Sequence, residues 1–141
     1  MRLWLEVDGT GQQPPLPNGG AALCAFCSFA VSRGFGATHP LIALADRLHD
    51  QHKLSLGPLT TFYGEAEDAE DTEKLELAWQ EPQPLAASLT RLIQALQADE
   101  QARTLARRGG GENLISEAEA LVTQLQAPSA SNTRVRMVYA L

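Results

Sequence analysis

The sequence predicts a single α+β domain spanning residues 1–141, with a mixed or mostly antiparallel sheet and helices packed on it. Three observations predict it. Residues near both ends alternate apolar and polar with the period of two of a half-buried strand. Leu3, Leu5 and Val7 alternate with Arg2, Trp4 and Glu6, while Val135, Met137, Tyr139 and Leu141 alternate with Arg134 and Arg136. The middle of the chain carries apolar stripes at helical spacing instead. Finally, 141 residues that are 44% hydrophobic and 20% charged suffice for one sizeable core and exclude disorder of the whole chain.

The elements read in the order β-β-α-β-β-α-α-β. Met1 to Val7 is the first strand. Residues 9–20, within the stretch DGTGQQPPLPNGG, form a Gly/Pro-rich loop, because prolines and glycines cannot keep a ladder. Ala21 to Val31 is apolar except for Ser28 and does not alternate. With a Gly-x-Gly turn after it, it reads as a strand buried on both faces. Gly34 and Gly36 break the run, and Thr38 is placed to cap the helix that follows. Pro40 suits the first turn, and Leu41, Leu44, Ala45, Leu48 and His52 form the stripe.

Leu54 to Tyr63 reads as one or two strands interrupted at Gly57-Pro58. Leu75, Leu77 and Trp79 alternate with polar neighbours and read as another strand, so residues 64–73 would be an acidic hairpin tip. Pro82 and Pro84 start a helix with the stripe Leu85, Leu89, Leu92, Ile93 and Leu96, which restarts at Asp99 and stops at Gly109. Asn113 can cap a further helix, with Leu114, Ala118, Leu121, Val122 and Leu125 inward. Pro128 to Asn132 turns into the last strand, which the pattern ties into the sheet.

The net charge of −6 argues against non-specific nucleic-acid binding. The charge is concentrated: residues 65–76 hold seven of the 17 acids and one of the 11 bases, so the rest of the chain is balanced. The longest apolar run, 21–31, is about half the ~20 residues a bilayer span needs, and no signal peptide is apparent. The expectation is a cytoplasmic protein with no membrane association. Two cysteines make no disulfide framework.

Four groups of residues bear on function. Gly34, Gly36, Thr38 and His39 form a Gly-rich turn into a helix, where free N–H groups could meet a phosphate. The turn resembles the start of a dinucleotide-binding fingerprint, with His39 where the third glycine would stand. Residues 34–56, GFGATHPLIALADRLHDQHKLSL, also resemble locally the first β–α unit of GT-B-type glycosyltransferases, in which a Gly-rich turn and His-Pro precede such a helix. That resemblance implies sugar-nucleotide chemistry near His39. It does not extend to the two Rossmann-like domains those enzymes have, for which the chain is too short.

Cys24-x-x-Cys27 with His49-x-x-His52 has the donor count of a zinc site. The strand reading puts the two cysteines on opposite faces, so structural core cysteines are the expectation. Asp46, His49 and Asp50 could pair for proton transfer, but residues at this spacing ordinarily form a surface pair. The carboxylates Glu65, Glu67, Asp68, Glu70, Asp71 and Glu73 could meet a basic protein partner, and Trp4 on the outward face of the first strand could join them. No Gly-x-Ser-x-Gly elbow, Walker loop or HExxH helix is present. The reading is a non-catalytic protein acting through protein–protein contacts, with no catalytic residue, cofactor or metal assigned. Self-association is a possible form of those contacts. The alternatives are a phosphate, nucleotide or sugar-nucleotide binder at the Gly34–His39 turn, or a structural zinc module.

Overall fold

The structure is a computed structural model that describes residues 1–141 except Phe35 and Ala37. It is an α+β domain built on one four-stranded mixed sheet of order β2-β1-β4-β3. Strand β1 (Arg2–Val7) pairs antiparallel with β4 (Val135–Ala140), in the register Leu3 to Tyr139 and Leu5 to Met137. A two-residue β2 (Gly11–Gln12) extends the β1 edge, and β3 (Phe62–Gly64) runs parallel to β4 at the other edge.

The helices are α1 (Ala21–Val31), α2 (Pro40–His52), α3 (Ala69–Glu76), α4 (Pro82–Ala98), α5 (Glu100–Arg108), α6 (Leu114–Gln126) and the single turn α7 (Pro128–Ser131). All the longer ones except α3 build the main core on one face of the sheet. Leu3, Leu5, Val7, Val135 and Met137 join Leu23, Phe26, Leu44, Leu89 and Leu121 there.

Residues 21–31 correct the sequence reading: they are a helix, not a strand. The apolar run was ambiguous because both faces are buried in either conformation. α1 packs against the sheet, α2 and α6, so it is covered nearly all round. A helix in that position has no polar stripe to betray its period. Gly20 precedes it in the left-handed region at φ 72°, and a side chain there would meet the Leu3 carbonyl oxygen at 2.9 Å. The entry into α1 is therefore pressed against β1 and needs glycine.

Residues 64–73 also differ from the expected hairpin tip. They leave β3 and enter α3, and Leu77 follows in a turn that leads to Trp79. Asp68 caps α3 by accepting the Asp71 N–H at 2.9 Å, and Asp71 accepts the Glu67 N–H at 3.2 Å. Acids at a helix start are favoured by its dipole, which is why an acid-rich run folds as a helix here. α3 lies on the second face of the sheet, where Leu75 covers Trp4, Val138 and Ala140 with Tyr63 beside them. Only Gln80 pairs in strand fashion, with Val135. The 9–20 loop is anchored rather than free: Leu16 is buried and Gln124 donates to the Pro14 carbonyl.

Candidate functional site

The Gly-rich turn joins α1 to α2, helix to helix, rather than a strand to a helix. Gly34 and Gly36 both hold positive φ, at 90° and 77°, in open space. Phe35 and Ala37 within the turn lie outside the described residues. The cap of α2 is His39 instead of Thr38. Its Nδ1 accepts the Leu41 N–H at 3.1 Å, and its ring stacks on Phe29 at 3.8 Å and 8°. This takes up part of what a phosphate would use. Pro40 has no N–H, Leu41 gives its own to His39, and Ala43 gives its own to the His39 carbonyl. A cleft of about 460 Å³ opens there, with Arg108 as its cation and Asp46 as its acid.

The second group is scattered over different surroundings. On α1 the two cysteines share a helix and are both buried in the core, with burial pushing both thiols above their ordinary pKa. The histidines are engaged elsewhere. His49 Nδ1 lies 2.8 Å from Asp50 and 2.9 Å from Arg33, and His52 Nε2 lies 2.8 Å from Asp99. Among the described residues no group of three or more histidine, cysteine or acidic side chains is arranged to hold a metal ion.

Arg33 is the residue the sequence reading missed beside Asp46, His49 and Asp50. Its Nε is 2.7 Å from Asp46, and it bridges the end of α1 to α2. His49, by its hydrogen bond first, and the Arg33 charge after it hold the Asp50 carboxyl below its ordinary pKa against a smaller desolvation. Arg33, His49 and Asp50 of this cluster rim, with Lys53 and Ser55, a shallow cleft of about 620 Å³. All four side chains are substantially exposed, so the arrangement brackets two helices weakly and presents no desolvated acid or base.

Of the residues expected to meet a partner, Glu65, Glu67, Asp68, Glu70 and Glu73 are exposed and Asp71 is partly covered. Trp4 corrects the expectation of an exposed aromatic: it is 6% exposed under Leu75, and its Nε1 donates to Glu6. Polar groups continue from it across this face. Glu6 accepts from Arg136, whose guanidinium lies 4.2 Å from the Trp79 ring, and Arg134 approaches the same ring while bonding Asp8.

A further site has no signal in the sequence. Met1, Val31 and Leu141, at 54%, 51% and 94% exposed, are three of the exposed large apolar residues, and all three rim one cleft of about 510 Å³. Its floor is Phe62 and Tyr139, whose rings meet edge to face at 5.6 Å. Beside it runs β3, paired with β4 on one side and, among the described residues, with no strand on the other. The cleft gathers Met1 just before β1, Ser28 and Val31 of α1, Thr60 with the short β3, and the end of β4, so only the fold assembles it.

No family model, curated protein or solved structure matches this chain. Among the described residues no helix is long and apolar enough to cross a membrane.

Proposed function

We propose that the protein works through contact with another protein, at the apolar cleft beside β3. The observation that carries this reading is the convergence of Met1, Val31 and Leu141 on one cleft next to an unpaired strand edge. Exposed apolar residues scattered singly carry no such meaning, whereas a rimmed apolar patch does. An open edge adds backbone donors and acceptors that a partner can satisfy. The polar clefts support catalysis less well, because their charged groups are solvated and satisfied by one another.

A photo-reactive amino acid at position 31, compared with one at exposed Gln97 on α4, tests this in cells that express the protein. The expected result is an adduct specific to position 31 in which a peptide of the second protein is identified by sequencing. Identical products from both positions, or none from position 31, would remove the reading.

A further inference from the structure

We infer that the occupant of the cleft is an extended basic segment, which adds to the sheet at β3 and is held by the acid run that follows it. The inference rests on the protein-contact reading above and specifies its partner. Two features coincide at this edge. β3 ends at Gly64, and the next residue, Glu65, gives its N–H to the Tyr139 carbonyl, which ties it next to two residues that line the apolar cleft, Gly64 and Tyr139. Exposed Glu67, Asp68 and Glu70 then continue along the entry to α3.

A strand laid along β3 would place alternate side chains over Phe62 and Tyr139 and bring its flanking residues alongside carboxylates. Lysine or arginine at those flanking positions would complement them. The same charges select against a second copy of this chain. Residues 54–64 contain no charged side chain, so another β3 would bring its own acid run and no cation. Acids beside an edge strand are a known means of preventing self-pairing, and here they leave the edge open only to a strand of opposite charge.

The test uses two blocked seven-residue peptides, one alternating lysine with valine and one alternating glutamate with valine. Binding is measured by fluorescence anisotropy at low and high salt and mapped by backbone amide shifts of the labelled protein. The lysine peptide should shift the Phe62–Gly64 amides and bind at least ten times more tightly than the glutamate peptide, with the difference shrinking as salt rises. Glu65→Lys with Glu67→Lys should weaken it roughly fivefold or more, and Val31→Lys should weaken it independently. All three positions are exposed, so the fold is retained.

Equal binding of the two peptides would overturn the basic partner while leaving the cleft as a protein contact. No binding of either, with the position 31 adduct still formed, would overturn strand addition alone. A dimer in sedimentation that Val31→Lys dissolves would overturn the choice of occupant.

Discussion

Asp99 and Arg47 meet at 2.6 Å, Oδ2 to Nε, and join the start of α5 to the middle of α2. The same oxygen lies 2.8 Å from His52 Nε2, and the other accepts the Gln101 and Ala102 amides. One carboxylate thus caps a helix and ties it to another. Asp99→Ala should cost about 3 kcal/mol, combining a lost cap with a broken, mostly buried ion pair. Asp99→Asn keeps the capping oxygen and should cost about half as much. Urea unfolding of both variants checks this.

The pH dependence of Asp99 follows from the same contacts. The Arg47 bond first, then His52, hold its carboxyl well below the usual carboxylate range. Its stabilisation is therefore complete above the unfolded value of about 3.9 and is lost as pH falls through the folded value. Wild-type stability should drop more steeply than that of Asp99→Asn between pH 5 and pH 3. Parallel curves would contradict the assignment.

Glu117 has the opposite sign. It is fully buried on α6, where Oε1 accepts the Leu23 N–H at the start of α1 and Oε2 has no partner. Desolvation raises its carboxyl, with the Leu23 and Ala22 amides pulling the other way. Stability from the protonated form is thus full below about 4.3 and is lost as pH rises through the folded value. Glu117→Gln should match wild type near pH 4 and exceed it at pH 8. Denaturant midpoints at the two pH values decide the matter.

Gly20→Ala should destabilise by about 3 kcal/mol, since a positive φ and contact with the Leu3 carbonyl act together. Gly110→Ala shares the positive φ, at 80°, but meets nothing within 4 Å, and should cost about 1 kcal/mol. Comparing the two unfolding curves separates backbone strain from the clash.

Trp4→Ala should cost about 4 kcal/mol, because the ring is packed under Leu75. Its effect should appear in stability and leave peptide binding by the folded fraction unchanged. Thiol labelling offers a companion check on the core. Cys24 and Cys27 should resist reagent in the native state and react together on unfolding.

The sequence was informative wherever one face of an element carries polar side chains. β1, β4, α2, α4 and α6 each carry a polar side that fixes their period, and Asp99 and Gly109 mark where helices begin and stop. Residues 21–31 lack that polar side, so nothing local separates helix from strand. Residues 75–79 misled for the reverse reason: Leu75, Leu77 and Trp79 alternate, yet Leu75 is buried against the sheet at the end of a helix and Leu77 is exposed. Of the turn at Gly34, the positive-φ glycines were legible, but the capping role of His39 depends on Phe29, ten residues earlier, lying against its ring. The apolar cleft was not legible at all, because its rim and floor come from four separated segments.

The pairing of β1 with β4 also sets a timetable. Glu6 and Arg136 are 130 positions apart. A ribosome adding about 5–20 residues per second needs on the order of ten seconds to cover that distance. For most of that interval Leu3, Leu5 and Val7 have left the ribosome while the strand that will flank them has yet to be translated. The central sheet therefore assembles after the helices between its two longest strands have been made, and the newborn chain carries an unmatched apolar strand until then.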